Sequence, residues 1–337
     1  MKHSTYLLPI RRATFCPTEA RELAVYFTTL NDAGCDMLVI DGSDAPVFEQ
    51  HAESWSSVCR HERVDRSFGY LNDKVNGIHT GVRLTTIEKI ILADDDIRYT
   101  AAEIDRVCEL LEKFDVVRPQ NYLSPLPWRA RMEAARMLIN RAILRTADYP
   151  GTCAFRRGVM LRVGPYDGDV LFDNEEIIRH FARAGATTSY ATNLFVRKRP
   201  PTFRKWIEQR PRQAYEDFGL RTKTALFLSL PVLAIWTLAL GWKSLGTFLL
   251  GVSVAAVLLA AVGRFRGSAS AYFPVSVCFF APFWILERSM STYWALYWHF
   301  AHGGYPFGDK ILSKGIGRDW ISGGRIAARA AAHQPNE

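Results

Sequence analysis

Three consecutive aspartates, Asp94, Asp95 and Asp96, follow the apolar run from Ile90 to Ala93. Adjacent carboxylates repel one another unless a cation or other positive groups neutralise them. A hard divalent cation such as Mg²⁺ or Mn²⁺ is held in proteins by one or two carboxylates together with the phosphates of a substrate. The triplet therefore predicts a divalent-cation site beside a phosphorylated substrate, with a solvated acidic turn as the alternative.

A further aspartate, Asp41, follows the apolar run from Met37 to Ile40. A carboxylate at the end of a strand can accept hydrogen bonds from a nucleoside, although Asp-Gly-Ser is also a common turn sequence. Ligands of open α/β sheets collect at the carboxyl ends of the strands. Both acidic positions therefore fall at the sheet edge where a binding site is expected.

Short apolar runs alternate with helical patterns over the first 195 residues. This alternation is typical of βαβ units around a largely parallel sheet. Residues 6–10 predict a first strand, and the segment from Pro17 to Leu30 predicts a helix that ends at Gly34. We expect one catalytic α/β domain over residues 1–220.

In order and spacing, the motifs resemble those of the family 2 glycosyltransferases with the GT-A fold, and the resemblance covers roughly residues 4–215. Members carry an aspartate after the second strand, then a Lys/Asn/Gly segment, then an Asp-x-Asp metal motif. The residues at these positions are Asp41, Lys74, Asn76, Asp94 and Asp96. The resemblance implies a Rossmann-like mixed sheet in which the first four of these residues bind the donor nucleotide, with a UDP-sugar as the family default. It also implies that Asp94 and Asp96 bind the Mg²⁺ or Mn²⁺ ion.

The segment Asp173-Asn174-Glu175-Glu176 resembles the stretch that supplies the catalytic base in this family. The usual pair there is Glu-Asp, and the alignment places Asp173-Asn174 at it. Because an asparagine cannot act as a base, Asp173 is the first candidate, with Glu176 and Glu175 behind it. For these two glutamates, acidic residues that complement a helix N-terminus are the alternative.

Two segments resemble regions that face the acceptor. Gly151 and Thr152 match the acceptor-side loop, and residues from Gln209 to Gln213 match the Gln-x-x-Arg-Trp motif of membrane-bound synthases, with Gln213 in place of the tryptophan. We expect Gln209 and Arg212 to contact the acceptor or the diphosphate, because a guanidinium fork suits phosphate geometry. A cationic segment at the membrane surface is the alternative. The missing tryptophan argues against a processive polysaccharide synthase.

Residues 225–242 and 244–263 contain no charged residue, and each approaches the roughly 20 residues that cross a bilayer. Residues 197–223, just before them, contain nine Lys/Arg against three Asp/Glu. Arginines also follow the second segment, so the positive-inside rule predicts a hairpin with both ends in the cytoplasm. We therefore expect a multi-pass protein of the inner membrane with a cytoplasmic catalytic domain.

A third apolar segment, residues 267–298, is interrupted by two prolines and contains Glu287 and Arg288. Charged groups are costly in lipid, and the aromatic residues that follow favour an interface, so a re-entrant or interfacial helix is as compatible as a crossing one. We expect the membrane anchor to span residues 224–302, followed by a basic tail over residues 303–337.

Together with these features, the resemblance implies an inverting, metal-dependent glycosyltransferase with a lipid or glycan acceptor. A nucleotidyltransferase would carry a Gly-rich phosphate loop after the first strand, and residues 9–12 offer none. Asn174 keeps open a catalytically inactive, transferase-like membrane scaffold. The net charge of +8 comes without an aromatic platform, so we expect no nucleic-acid partner. The spacing of the six cysteines fits neither a zinc site nor a disulfide framework.

Overall fold

The computed structural model describes residues 2–317, and its first half is built from βαβ units. The strands of this half are β1 (Ser4–Ile10), β2 (Cys35–Asp41), β3 (Arg60–Arg63) and β4 (Lys89–Ala93). The helices between them are α1 (Pro17–Asp32), α2 (Ala45–Trp55) and α3 (Asp73–Leu84). The four strands are parallel. Strands β1, β2 and β4 are buried along nearly their whole length, as expected where helices cover both faces of a sheet.

The second half completes this sheet and adds a smaller one. Its strands are β5 (Ile97–Arg98), β6 (Val116–Val117), β7 (Gln120–Leu123), β8 (Thr152–Arg156), β9 (Thr188–Ser189) and β10 (Phe195–Lys198). Its helices are α4 (Ala101–Lys113), α5 (Trp128–Ile143), α6 (Arg157–Val163), α7 (Asp173–Arg183) and α8 (Phe203–Glu216). The main sheet has the order β3-β2-β1-β4-β8-β6-β9, with β8 antiparallel to its neighbours, and the smaller sheet has the order β5-β10-β7. This mixed, parallel-rich architecture confirms the predicted α/β fold class.

Helix α3 lies close against β1 because a glycine faces the strand. A Cβ at Gly81 would overlap the side chain of Leu7. The helix is capped by Asn72, whose side chain accepts a hydrogen bond from the backbone N–H of Lys74 at 3.1 Å. The cap and the close packing together fix Lys74 at the edge of the sheet where β4 ends.

Long apolar helices follow α8. They are α9 (Arg221–Ala239), α10 (Trp242–Phe265) and α11 (Ala281–His302), and the hairpin strands β11 (Tyr305–Phe307) and β12 (Lys310–Leu312) come after them. By length and composition α9 and α10 could cross a membrane, and only 6% and 11% of their most apolar windows are buried. The predicted C-terminal apolar helices are therefore present. Of the predicted basic tail, residues 318–337 lie outside the described residues.

Helix α10 packs on α5 through small residues. Ala256 and Ala260 are buried, and a Cβ at Gly263 would overlap the carbonyl oxygen of Leu138. Small side chains let two helix backbones approach closely. The end of α10 is thereby joined to a helix of the α/β domain, while its beginning is exposed.

Helix α11 packs on α8, and its charged residues pair with the α/β side of the molecule. Arg288 is 1% exposed and donates to Asp217 at 2.8 Å and to Gln213 at 2.9 Å. A carboxylate oxygen of Glu287 lies 3.6 Å from a guanidinium nitrogen of Arg210. The sequence did not decide whether Glu287 and Arg288 lie in lipid or at an interface. In the structure both charged side chains pair with polar groups of the protein itself.

Candidate active site

A cleft opens at the carboxyl ends of β1 and β4, where the three aspartates leave the sheet. Its outer cavity of about 770 Å³ is lined by Arg12, Lys74, the three aspartates, Asp173 and several residues of α8. An inner cavity of about 160 Å³ lies toward α5 and α11, and its lining shares Asp96, Asp173 and Glu216 with the outer one. The acidic motif and the segment predicted to supply the base therefore face one common space.

Lys74 lies at the centre of this cleft. Its ammonium nitrogen is 2.6 Å from Oδ1 of Asp94 and 2.9 Å from Oδ2 of Asp173, and it donates to Oδ1 of Asn174 at 2.8 Å. Burial would lower the pKa of Lys74, but Asp173 and Asp94 outweigh it and raise this pKa above its ordinary value. Burial likewise opposes ionisation of Asp94, yet Lys74 and Lys198 hold the pKa of Asp94 below its ordinary value. Both groups are therefore charged at neutral pH.

The environment of Asp94 and Asp96 fits a divalent cation. Oδ1 of Asp96 is buried without a hydrogen-bond partner within residues 2–317, and Oδ2 of Asp96 lies 3.5 Å from Nζ of Lys198. A Cβ at Gly151 would lie 2.7 Å from Oδ2 of Asp94, so the glycine leaves room beside that oxygen. Carboxylate oxygens without a protein partner are the ligands that hard cations take. Gly151 therefore contributes to the cleft by leaving open the space beside Asp94 that a side chain would fill.

Asp41, at the end of β2, is 1% exposed and enclosed by hydrogen bonds. Its Oδ2 is 2.7 Å from Nδ1 of His51 and 3.1 Å from Nε2 of His61, and its Oδ1 accepts the backbone N–H of Ser43 at 2.8 Å. Burial by itself raises the pKa of Asp41, but these hydrogen bonds outweigh it and hold the pKa well below its ordinary value. Asp41 therefore supports the wall of a neighbouring cavity of about 510 Å³, with both oxygens already engaged.

The carboxylate of Asp41 and the two imidazoles place one ligand atom each within 4.8 Å of one another, a grouping that could also hold a metal ion. Metal-bound histidines almost always donate their second ring nitrogen to a partner. Nδ1 of His61 is buried and has no such partner in the described part of the chain. The direct contacts to Asp41 indicate a hydrogen-bonded network at this position.

Asn76 and Thr152 stabilise the backbone around the cleft. The side chain of Asn76 exchanges two hydrogen bonds of 3.0 Å with the backbone of Tyr70, and it lines the cavity beside Asp41. The hydroxyl of Thr152 donates to the carbonyl oxygen of Leu92 at 2.6 Å. Both residues thus fix the walls, and neither lines the outer cavity.

The first turn of α7 brings Asp173 to the cleft but turns Glu175 and Glu176 away. Asp173 is 4% exposed and lines both cavities. The partners of the glutamates are Arg118 and Arg179 for Glu175, and Arg183 with the backbone N–H of Gly317 for Glu176. Neither glutamate lines the outer or the inner cavity. Their ion pairs anchor α7 instead, so Asp173 is the predicted base that the fold places at the site.

Helix α8 carries Gln209 and Arg212 into the cleft, where both line the two cavities. The guanidinium of Arg212 lies over the ring of Phe307 at 4.7 Å from its centroid and donates to Glu216 at 3.1 Å. Gln213, which stands where the related motif has tryptophan, accepts a hydrogen bond from α11 through Arg288. Gln213 therefore links α8 to α11 through this hydrogen bond.

Several cleft residues were missed by sequence reasoning. They are Lys198, Lys205 and Glu216, together with residues 307–309 beyond the last helix. The two lysines belong to the basic segment 197–223, and Glu216 follows Arg212 by one helical turn. The sequence therefore showed these charges, but it did not show that the side chains point into the cleft. The contact of Arg11 with Asp309 at 3.2 Å joins positions 298 residues apart. Sequence spacing carries no signal for such a contact.

No protein-family model matches the chain, and a search of curated proteins finds no match. Among solved structures, a mannosyltransferase from Pyrobaculum calidifontis in complex with GDP-Man and Mn²⁺ is 16% identical, with 87% of each chain covered and a TM-score of 0.49. Glucosyl-3-phosphoglycerate synthase from Mycobacterium tuberculosis is 16% identical, with 63% of this chain and 76% of that chain covered and a TM-score of 0.41. A putative nucleotide-diphospho-sugar transferase from Desulfovibrio desulfuricans is 10% identical, with 59% and 81% covered and a TM-score of 0.34. Similarity at this level assigns no function to the chain.

Proposed function

We propose that this chain is an inverting glycosyltransferase of the GT-A type, related to family 2. It transfers a sugar from a nucleotide sugar to a membrane-associated lipid or a glycan. The observation that carries the proposal is the ion-pair cluster of the cleft, in which Lys74 joins Asp94 after β4 to Asp173 at the start of α7. In this proposal the acidic motif binds the cation and Asp173 lies on the acceptor side, and their closeness supports a single displacement at a sugar carbon, which needs both in one space.

The positive groups of the outer cavity support a diphosphate as the ligand. Arg12, Lys198, Lys205 and Arg212 line it together with the three aspartates. A diphosphate is neutralised by such groups, and an arginine fork can bind it through two parallel hydrogen bonds. A Mg²⁺ or Mn²⁺ ion bound by Asp94 and Asp96 would supply Lewis-acid stabilisation of the leaving diphosphate. A UDP-sugar is the donor we would test first.

The acceptor enters from the inner cavity in this proposal. Its hydroxyl oxygen attacks the anomeric carbon on the face opposite the diphosphate, which inverts the configuration of that carbon. A carboxylate on the acceptor side removes the hydroxyl proton, a role for which the sequence nominates Asp173. General-base help of this kind contributes about 10²–10⁴-fold to the rate.

We further propose that α9 and α10 form a hairpin in the inner membrane, with the α/β domain in the cytoplasm. This is supported by the apolar side chains that the hairpin exposes, such as Leu250 at 65% and Leu258 at 60%. Helix α11 then lies at the membrane interface, where its exposed Trp294 and Tyr297 would find the mixed environment that such aromatic residues favour.

The test of the donor site is calorimetry on detergent-purified protein with UDP-, GDP- and TDP-sugars, in Mn²⁺ and in EDTA. Metal-dependent binding of one nucleotide class is expected. The Asp94→Ala/Asp96→Ala double variant is expected to lose it. The matched control is Asp105→Ala/Glu109→Ala, which removes two carboxylates from the exposed face of α4 and is expected to bind like wild type.

Binding that is equal in Mn²⁺ and EDTA would exclude the metal-dependent mechanism. If no donor binds to wild-type protein that melts cooperatively, the result would favour the catalytically inactive membrane scaffold.

A further inference from the structure

The carboxylates around the two cavities differ in how fully they are paired. Glu133 contacts Arg136 at 2.7 Å and Arg210 at 3.1 Å, and Asp217 is similarly held by two cations from α9 and α11. A carboxylate with two charged partners has a structural role and little freedom to exchange a proton. The proton acceptor of the proposed reaction should therefore be sought among the less occupied groups.

Asp173 is paired with one cation. Its Oδ2 lies 2.9 Å from the ammonium of Lys74, and its side chain is 5% exposed. The ammonium of Lys74 donates a hydrogen bond to Asn174 and contacts Asp94 and Asp173 as ion pairs. An acceptor hydroxyl would have to compete with Lys74 for this oxygen. The geometry gives Asp173 the role of holding Lys74 in place.

Of the carboxylates that line both cavities, Asp96 is assigned to the cation and Asp173 contacts Lys74, which leaves Glu216 in the last turn of α8. It lines both cavities, and its side chain is 14% exposed. Oε1 accepts a hydrogen bond from Nε of Arg212 at 3.1 Å, and Arg212 is its one side-chain partner in the part of the chain that the structure describes. One of its two oxygens is thus free to meet a hydroxyl at the junction of the cavities.

The surroundings of Glu216 favour proton uptake. Burial is the largest effect and raises the pKa of Glu216 above its ordinary value; Arg212 and Arg288 oppose this shift, and Asp217 and Asp173 add to it. These groups come from α8 itself, from the turn after it, from α7 and from α11. A base works best when its pKa approaches the working pH, and the shift is in that direction.

We infer that Glu216 is the catalytic residue that receives the proton of the acceptor hydroxyl, with Asp173 and Lys74 as positioning residues. This inference rests on the proposed transferase function. As the hydroxyl oxygen forms its bond to the anomeric carbon, the hydroxyl proton moves to Glu216. The bond between that carbon and the diphosphate oxygen breaks, and the nucleoside diphosphate leaves with the electron pair. Glu216 returns the proton to solvent when the product departs.

The test is single-turnover hydrolysis, with enzyme in excess over the donor that binds in calorimetry and with water as the acceptor. Glu216→Gln is expected to lower the rate about 100-fold or more, to bind the donor with unchanged affinity, and to lose the acidic limb of the pH–rate profile. Glu216→Asp keeps a carboxylate and should retain that limb. Asp173→Asn should keep it as well.

The control is Glu208→Gln on the same helix. Glu208 pairs with Arg204 at 3.2 Å in the same i,i+4 arrangement, but it is 62% exposed, so it should behave as wild type. The inference is overturned if Glu216→Gln binds and cleaves the donor like wild type, if its acidic limb persists, or if wild type binds a donor without cleaving it. If wild type shows no metal-dependent donor binding, that result would instead contradict the proposed function.

Discussion

Lys74 is the residue on which the charge balance of the cleft depends. One ammonium group neutralises two carboxylates that arrive from distant segments of the chain, the partly buried Asp94 and the buried Asp173. Removing one member of a buried ion pair leaves an uncompensated charge, which typically costs about 3–5 kcal/mol. A metal ion at the proposed site would therefore neutralise the same charge on Asp94 as the lysine does.

Replacement of this lysine should make the protein more dependent on metal. We expect Lys74→Met to melt at a lower temperature than wild type in EDTA, and to gain more from Mn²⁺ than wild type does, because the ion restores a positive charge beside Asp94. Thermal unfolding with and without Mn²⁺ measures both effects. Lys89→Met, which removes a lysine paired with Glu112 outside the cleft, is the control. An equal Mn²⁺ effect in wild type and Lys74→Met would contradict the shared role.

The stability that Asp41 contributes should depend on pH in a defined direction. Because the pKa of Asp41 is below the ordinary 3.8 in the folded protein, its contribution is complete above that value and is lost as the pH falls toward the folded pKa. We expect Asp41→Asn to destabilise the protein by about 1.5–3 kcal/mol at pH 7, the magnitude of a hydrogen bond to a charged group.

The difference between wild type and Asp41→Asn should then shrink below about pH 4. Chemical unfolding of both proteins across pH 3 to 7 measures it, and Asp44→Asn, at an exposed position, is the control. A difference that stays constant with pH would mean that the charge of Asp41 is not what stabilises the network.

At the scale of elements, the packing of α10 on α5 depends on one glycine. A Cβ at Gly263 would overlap the backbone of α5 at Leu138, whereas one at Gly251 on the same helix meets nothing within 4 Å. Overpacking costs about 1–3 kcal/mol, and alanine has the better helix propensity. We expect Gly263→Ala to lower the melting temperature and Gly251→Ala to leave it unchanged or slightly higher. Equal effects would show that the α5 contact contributes little.

Elements with a strong local pattern could be predicted from the sequence. The apolar cores of β1, β2 and β4 are visible as short runs in the sequence, and the runs of β2 and β4 end at Asp41 and Asp94, so the sheet edge that carries the acidic residues could be predicted. The two apolar helices were equally visible. The sequence could not predict which way each side chain points. Three acidic residues begin α7, and only the tertiary packing decides that Asp173 faces the cleft while Glu175 and Glu176 face arginines.

The position of Glu216 in the cleft could not be predicted from the sequence either. A glutamate one turn after an arginine is an ordinary surface pattern on a helix, and Glu208 after Arg204 is such a pair. Only the burial of the end of α8 between two cavities distinguishes Glu216 from it. Likewise, the carboxylate of Asp41 was expected to be available, and its two histidine partners lie on α2 and β3, outside any motif.

At the scale of the whole molecule, the proposed membrane hairpin depends on the exposed apolar faces of α9 and α10. A charged residue at the middle of a membrane-spanning helix costs about 2.5–3.5 kcal/mol. We expect Leu250→Lys/Leu258→Lys to reduce the fraction of protein that stays with membranes after an alkaline wash. The control is Val25→Lys on α1, which is 65% exposed, as Leu250 is. Retention of the double variant at the wild-type level would argue against insertion of the hairpin.

The pairing of Arg11 with Asp309, and of Lys310 with Asp73 at 3.0 Å, has a consequence for the order in which the protein acquires its properties during synthesis. The ribosome synthesises every motif of the α/β domain before it makes α9, and it makes the hairpin of β11 and β12 only after α11. One rim of the outer cavity is formed by that hairpin. A nascent chain therefore already contains the aspartates and Lys74 while the rim around them is unfinished, and the complete cleft is assembled only after the apolar helices have been made.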